Sequence, residues 1–311
     1  MNTNQKNKPI DWLKGIGYGL LLIIIFYAVQ FAIMIPITIV YTVMLISQSG
    51  AALAADPEAL MNGLMESGIP TIVTAAATVV TAIVFALWYF LKYGRRSKRK
   101  LGETLKTSFT GKRTVLYIIA SVFTYLMALD VVSVINLVSP ASVDAYQELL
   151  QQISSGSQGL YLVTVIVLAP IGEECLFRGL LLKKLGKYMP AAAAIAIQAL
   201  LFGVFHMNAV QGIYVLALGL LCGYAAYRTH SVLPAVFIHL VHNSISFVIQ
   251  LLPESLLSND LVWVFAPLLP LALLVCLYRV WGFHIDLKEP VLEIAAPETI
   301  VSENIMPEQE G

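Results

Sequence analysis

The stretch Leu168-Ala-Pro-Ile-Gly-Glu173-Glu174-Cys-Leu-Phe-Arg178-Gly-Leu-Leu181 decides the fold, because three charged side chains interrupt a run that is otherwise apolar. On translocon-insertion scales, each ionised side chain at the centre of a membrane helix costs roughly 2.5–3.5 kcal/mol. Three such groups within six residues must therefore serve packing, transport or catalysis. Two later apolar segments add histidines and an amide at similarly unfavourable positions.

The composition is that of an integral membrane protein. The 311 residues are 58% hydrophobic and 12% charged, against about 25% charged in an average soluble domain, and the mean hydropathy is +0.79. The formal net charge is zero, and no nucleic-acid partner is expected. Cys175, Cys222 and Cys276 all lie in apolar segments, where we interpret them as small buried hydrophobic residues.

Hydropathy predicts an all-α, polytopic membrane protein with about eight transmembrane helices, each near the ~20 residues that a bilayer requires. They are expected at residues 16–47, 70–91, 114–138, 159–182, 191–207, 210–227, 232–252 and 261–278. The first is overlong and contains Pro36, which permits a kink or a tilt. It is also too long for the apolar part of a signal peptide and is expected to remain as a spanning helix.

The basic residues predict the orientation of the chain. Segment 92–113 has nine Lys or Arg residues and one acid, Glu103. Other basic residues precede the first span and follow the fourth and sixth, whereas the opposite loops carry acids and no Lys or Arg. With eight spans, the positive-inside rule places both termini in the cytoplasm. A second interpretation of segment 92–113 is that it binds anionic lipid head groups or an acidic substrate segment.

Four regions are expected along the chain. Residues 1–113 form an N-terminal two-span region with a basic cytoplasmic loop, and residues 114–252 form the core that carries the polar groups. Residues 253–281 hold the last transmembrane helix, and residues 282–311 are an acidic, proline-containing tail that we expect to be disordered. Residues 141–154 predict a short amphipathic helix on the outer surface.

Helical spacing distinguishes the two glutamates. Glu174 and Arg178 are four residues apart and share a helix face, so they can form an ion pair that lowers the cost of burying both. Glu173 lies about 100° further around the helix, and Phe177, four residues on, offers it no partner. Because an unpaired carboxylate is the better general base, Glu173 is the candidate for chemistry. A buried packing triad or a proton relay is the alternative.

Two later spans carry polar groups at the same spacing. Phe202 and His206 are one turn apart, so an aromatic ring should line the face that carries the imidazole. His239 and Asn243 present two hydrogen-bond groups in one direction, as donors to an oxyanion require, and His242 is a reserve candidate. Each pair taken singly is also explained by interhelical hydrogen bonding.

Three further expectations concern packing and depth. Asp130 is expected near the outer end of its helix, capping it or hydrated. Gly219 and Gly223 predict close packing of the sixth span against a neighbour. At 1.5 Å per residue, His206 would lie too far toward the outer face to meet Glu173 if the fifth span ran straight across. We therefore expect the segment from 183 to about 194 to project into the cytoplasm.

Taken together, the motifs Glu-Glu-x-x-x-Arg, Phe-x-x-x-His and His-x-x-x-Asn, on separate helices in this order, resemble those of the CPBP family. These are the type II CAAX prenyl proteases and their bacterial relatives, also called the ABI family. The local context is similar as well, since Gly172 precedes the glutamates and Gly179 follows the arginine. The resemblance covers about residues 115–250.

The resemblance implies an intramembrane glutamic endopeptidase of the cell (cytoplasmic) membrane that acts on a membrane-associated peptide or protein within the bilayer. Under it, Glu173 and His206 activate the attacking water, and His239 and Asn243 stabilise the oxyanion. Phe202 and the ion pair of Glu174 with Arg178 support the site.

Other interpretations remain open. The resemblance implies no cofactor, but Glu173, His206 and His239 are also a conceivable zinc site with an open fourth position. A non-enzymatic membrane scaffold, or a bacteriocin-immunity-type protein of the same fold, would retain the polar cluster for assembly alone. A proton-coupled transporter would need two alternating openings, for which the sequence offers no inverted repeat.

Overall fold

The computed structural model describes residues 9–95, 100–249, 255 and 265–281. Within these residues the chain is helical and has no strands, and five helices are long and apolar enough to cross a membrane. The predicted all-α polytopic membrane fold is therefore confirmed. The count of eight spans and the cytoplasmic position of both termini stay predictions.

The elements follow one another along the chain as a series of long and short helices. They are α1 (Pro9–Ser49), α2 (Ala51–Ala54), α3 (Pro57–Glu66), α4 (Ile69–Tyr89) with a π-helical turn (Phe90–Gly94), α5 (Leu101–Ser108), α6 (Gly111–Val138), α7 (Pro140–Ile153), α8 (Gln158–Val163), α9 (Ala169–Glu174), α10 (Leu182–Leu185), α11 (Ala191–Phe205), α12 (Ala209–Thr229), α13 (Leu233–Ile249) and α14 (Leu268–Trp281). Two π-helical turns, Thr164–Leu168 and Cys175–Leu181, join α8, α9 and α10 into one continuous helix, which we call the glutamate helix.

Several boundaries differ from those predicted. α1 begins earlier, at Pro9, and its 41 residues are twice the ~20 that a bilayer requires. α11 is shorter than the predicted span, with 15 residues, and α13 begins at Leu233 and is described for 17 residues, up to the end of the described range at Ile249. Segment 92–113 contains the unpredicted helix α5. The predicted start of the eighth span at 261 and the tail 282–311 lie outside the described residues.

The glutamate helix is widened on both sides of its two glutamates. Pro170 has no N–H, and in a regular α-helix its ring would clash with the carbonyl four residues earlier. The π-helical turn Thr164–Leu168 contains that carbonyl and opens the helix there. The second π-helical turn begins at Cys175, directly after Glu174. Such wide turns are frequent at functional sites.

Two glycines let the glutamate helix approach α4 closely. A Cβ added at Gly172 would lie 3.0 Å from the Ala82 Cα, and one added at Gly179 would lie 2.7 Å from the Tyr89 ring. A larger residue at either position would push the two helices apart. The Gly-Glu-Glu and Arg-Gly contexts of the motif are thus explained by helix packing.

The predicted close packing of the sixth span is confirmed. A Cβ at Gly219 would lie 3.1 Å from the Ala199 Cβ, and one at Gly223 would lie 3.2 Å from Ile195 Cγ2, so α12 packs tightly on α11. The short connection between them contains Met207, whose φ of +53° is in the left-handed region that residues with a Cβ rarely adopt. The chain therefore reverses immediately after α11.

The segment that joins the glutamate helix to α11 is packed against α1. Leu185, Met189 and Ala191 are buried in the main core cluster, and a Cβ at Gly15 of α1 would lie 3.0 Å from Leu185. The segment 183–194 therefore does not stand free of the protein. Its position outside the hydrocarbon layer stays a prediction.

The amphipathic helix expected at 141–154 is present as α7. Its residues Val143 and Tyr146 are buried with Val210 of α12 in a second, smaller apolar cluster, and the Tyr146 hydroxyl lies 2.7 Å from that of Tyr214. The apolar face of α7 therefore packs on the helix bundle. Its location on the outer side of the membrane stays a prediction.

Candidate active site

Glu174 lies at the centre of a buried polar cluster. Its Oε1 accepts hydrogen bonds from Arg178 Nη1 at 2.9 Å and from His239 Nδ1 at 2.8 Å. The side chains of Glu174 and Arg178 are both 0% exposed. The ion pair expected from the four-residue spacing is therefore present, and His239 joins it from α13.

The contact with Glu174 orients His239. Because a carboxylate oxygen accepts, His239 Nδ1 carries the hydrogen of this bond. The other ring nitrogen, Nε2, faces Glu173. The distance from His239 Nε2 to Glu173 Oε2 is 3.9 Å, which is longer than a hydrogen bond. The imidazole thus lies between the two carboxylates, bonded to one and separated from the other.

The two glutamates differ in access. The Glu174 side chain is 0% exposed, whereas that of Glu173 is 13% exposed. Glu174 is enclosed by its partners, and Glu173 is the carboxylate that a water molecule or a substrate can reach. Spacing in the sequence and exposure in the structure single out the same residue.

Asn243 differs from the expected arrangement. Its Nδ2 donates to the Val165 carbonyl at 2.9 Å, so His239 and Asn243 do not both present free donors in one direction. The reason lies in the wide turn before α9, where the Ala169 N–H bonds to Thr164 O. The next residue, a proline, has no N–H, so the Val165 carbonyl takes a side-chain donor instead. An amide nitrogen has two hydrogens, and one of them is engaged in this bond.

His206 stands at the end of α11. Its Nδ1 lies 2.8 Å from the Phe202 carbonyl oxygen, and since a carbonyl only accepts, this nitrogen donates and Nε2 keeps a lone pair. The Phe202 ring meets the His206 ring edge-on, with centroids 4.7 Å apart, and the His239 ring at 5.9 Å. Phe202, which is fully buried, therefore lies against both imidazoles.

The reserve candidate His242 and the acid Asp130 lie apart from this cluster. His242 faces α6, where its Nδ1 is 3.1 Å from Thr124 Oγ1. Asp130 is half-buried in α6, eight residues before the helix ends at Val138, and does not cap it. The structure thus brings together six of the predicted side chains and places the seventh, Asn243, one turn further along α13.

Gln198 is a buried member of the cluster that spacing did not identify. It is 0% exposed, and its Nε2 donates to the Gly219 carbonyl at 2.8 Å. Arg178 Nη2 donates to the same oxygen at 3.1 Å. Gln198 is the only side chain in α11 that carries hydrogen-bonding groups, a signal that was available in the sequence.

Tyr27 of α1 also reaches the site. Its hydroxyl donates to the carbonyl of Phe205, the residue before His206, and its ring centroid lies 5.5 Å from that of Phe205. This contact joins residues 178 positions apart. α1 contains three tyrosines, and nothing in the sequence distinguishes Tyr27 from the other two.

In the part of the chain that the structure describes, no group of three or more His, Cys, Asp or Glu side chains is arranged to hold a metal ion. The two imidazoles use their Nδ1 atoms on Glu174 and on a backbone carbonyl. Metal-free chemistry stays a prediction that chelation tests.

Residues 155–245 match the family model of the type II CAAX prenyl endopeptidases, described as Rce1-like. All three motifs lie inside this segment, and the family resemblance seen in the sequence is confirmed. The match indicates a CAAX-protease-type intramembrane endopeptidase. A comparison with curated proteins and one with solved structures each find no match.

Proposed function

We propose that this chain, whose residues 155–245 match the family model of the type II CAAX prenyl endopeptidases, hydrolyses a peptide bond of a membrane-associated peptide or protein with a glutamate-activated water. The observation that carries the proposal is the contrast between the two glutamates. Glu174 is enclosed by Arg178 and His239, whereas Glu173 is partly exposed and 3.9 Å from His239.

Glu173 and His206 activate the water in this mechanism. His206 Nε2 is available as an acceptor because Nδ1 donates to Phe202 O, and Glu173 is the accessible carboxylate. Glu173 takes one proton of the water while the water oxygen forms a bond to the scissile carbonyl carbon. The electron pair of the carbonyl double bond moves onto its oxygen, and the proton then passes to the leaving amine as the C–N bond breaks.

His239 stabilises the oxyanion when Nε2 is protonated. Counted formally, two carboxylates, one guanidinium and a neutral imidazole carry a charge of −1, and the imidazolium brings the cluster to zero. Glu174 supports this state because its Oε1 holds the His239 Nδ1 hydrogen at 2.8 Å. Asn243 contributes its second amide hydrogen while the first remains on Val165 O.

A cytoplasmic membrane location fits this proposal. The five membrane-length helices make the chain a multi-pass membrane protein, and its basic loops assign one side to the cytoplasm. The water reaches Glu173 through a polar path between helices, since the hydrocarbon layer supplies none.

The experiment is a cleavage assay with the purified full-length protein in nanodiscs and a library of membrane peptides, with and without a strong chelator. Wild type is compared with Glu173→Gln and His206→Ala. The matched control is Asp130→Asn, which removes a half-buried carboxylate of α6 that lies outside the cluster. Cleavage that survives chelation and Asp130→Asn but disappears in both site variants supports the mechanism. Cleavage that survives Glu173→Gln would contradict it.

A scaffold role is the second candidate, because the buried network joins four parts of the bundle. Arg178, Glu174 and His239 connect the glutamate helix to α13, and Arg178 and Gln198 meet on a carbonyl of α12. If a cellular phenotype of the protein survives Glu173→Gln in a well-folded sample, the scaffold is the better explanation.

A further inference from the structure

A second polar cluster lies where α1, the end of α4 and the end of the glutamate helix meet. We call it the lysine–tyrosine cluster, and it consists of Tyr18, Tyr89, Lys92, Tyr93, Lys183 and Lys184. In the sequence its basic residues indicate topology, and segment 92–113, which contains Lys92, has lipid head-group or acidic-peptide binding as a second interpretation. Its lysines come from two segments of the chain, since Lys92 and Lys183 are 91 positions apart, and the fold brings them together.

The three ammonium groups share tyrosine rings. Lys92 Nζ lies 5.3 Å and Lys184 Nζ 5.4 Å from the centroid of the Tyr18 ring. Lys92 Nζ lies 5.6 Å and Lys183 Nζ 4.8 Å from the centroid of the Tyr93 ring. The three cations thus form a row across two rings. The ring faces attract each cation, but the like charges repel one another.

No carboxylate balances this row within the ranges that the structure describes. The ion pairs found there involve Lys14, Arg178 and His239 instead. All three lysines of the cluster are half-buried, and Lys92 Nζ donates one hydrogen bond, to the Tyr18 hydroxyl at 3.1 Å. Each ammonium group has three N–H donors, so donors remain for an anion.

We infer that the lysine–tyrosine cluster binds the phosphate group of an anionic membrane lipid. Each part of the cluster lies within about two turns of the end of an apolar, membrane-length helix. A membrane lipid would place its phosphate group at such a position. Tyrosine rings and long lysine side chains are typical of the membrane–water interface. Free phosphate offers the same chemistry from solution, without an acyl chain along the helices.

Such a lipid would connect the glutamate helix to α1 and α4. The cluster includes Tyr18 of α1 and Lys183 of the glutamate helix, and nine residues further along α1 Tyr27 contacts the carbonyl next to His206. The bound head group would therefore stabilise the bundle near the candidate active site. The inference does not depend on the proposed peptidase function.

The test measures lipid binding to the purified full-length protein by native mass spectrometry and by its Tm. Phosphatidylglycerol is titrated into phosphatidylcholine nanodiscs, and inorganic phosphate is titrated separately. The variants are Lys183→Gln and Lys184→Gln. The matched control is Lys187→Gln, which removes the same charge three residues away from an exposed side chain.

Wild type and Lys187→Gln are expected to retain phosphatidylglycerol and to gain Tm with it. Relative to Lys187→Gln, each cluster variant should lose about fivefold in apparent affinity, the size of one basic residue's contribution near an anionic surface. If Lys187→Gln loses as much lipid affinity as the cluster variants, the cluster is not the binding site. If inorganic phosphate raises the Tm as much as phosphatidylglycerol does, the ligand is not a lipid. Displacement of the lipid by an acidic peptide at low concentration would show that a peptide site exists instead.

Lys183→Arg and Lys184→Arg distinguish loss of the positive charge from a folding defect in the glutamine variants. They keep the charge and the attraction to the rings, so they should retain the lipid within about twofold. If the arginine variants lose the lipid while keeping the wild-type Tm in phosphatidylcholine, the cluster is not an electrostatic phosphate site.

Discussion

The two polar clusters of this protein handle their charges in opposite ways. The cluster around Glu174 contains two carboxylates, a guanidinium and an imidazole, and Glu174 bonds to Arg178 and His239 at 2.8–2.9 Å. The lysine–tyrosine cluster places three cations against aromatic rings. A site among membrane helices must supply its own countercharges, because burying an unpaired charge is costly. A site at the membrane surface can take them from lipid head groups.

The largest stability effect is expected from Arg178→Met. The change leaves the fully buried Glu174 without its guanidinium partner, and breaking a buried pair by removing one partner costs about 3–5 kcal/mol. Thermal unfolding in nanodiscs measures the loss, and Lys14→Met, which breaks an ion pair with a largely exposed lysine, should cost about 0.5 kcal/mol or less. Similar losses in the two variants would remove the distinction between buried and exposed charge pairs.

Asn243→Ala should lower cleavage strongly and stability mildly. Loss of one oxyanion donor costs about 10²–10³ in kcat, and loss of the bond to Val165 O costs about 1 kcal/mol. Turnover and Tm are measured in parallel. Ser244→Ala is the control, since that hydroxyl bonds only to Leu240 O in its own helix in the described structure. If the two variants retain equal activity, Asn243 has no role in catalysis and only stabilises the π-helical turn through its bond to Val165 O.

Tyr27→Phe should reduce stability by about 1 kcal/mol, because the Phe205 carbonyl loses its side-chain donor while the ring contacts remain. The reduction in turnover should be larger than in Tyr41→Phe, a tyrosine further along α1. Turnover and thermal unfolding of the two variants provide the comparison. Equal turnover in both would show that α1 does not position the end of α11.

Chelation should have the smallest effect. Because a carboxylate and two imidazoles carry out the proposed reaction without a metal, turnover should change by less than about twofold after dialysis against a strong chelator. Turnover is measured again after zinc is added back. Activity that disappears on chelation and returns with zinc would establish the zinc alternative at Glu173, His206 and His239.

Local features of the site were predictable from the sequence. The ion pair between Glu174 and Arg178 follows from a spacing of four residues, and the Phe202–His206 contact follows from the same rule. Hydropathy predicted the helices because each spanning segment must satisfy its backbone hydrogen bonds internally. These inferences required only neighbours within one helix.

The features that the sequence did not predict depend on contacts between helices or on departures from α-helical geometry. The bond from His239 to Glu174 joins residues 65 positions apart. Asn243 turns to Val165 O because Pro170 and the wide turn before it leave that carbonyl without a helical donor. Depth counting on a straight α-helix could not foresee a glutamate helix with two π-helical turns.

The most direct test of the central claim compares Glu173→Gln with Glu174→Gln in one experiment that records peptide cleavage and Tm in nanodiscs. Glu173→Gln should abolish cleavage, with a loss of about 10²–10⁴, and keep a Tm close to that of wild type because its side chain lies at the accessible edge of the cluster. Glu174→Gln should lower the Tm markedly, since it removes the charge that pairs with Arg178 and His239. Wild-type cleavage by a well-folded Glu173→Gln protein would contradict the account.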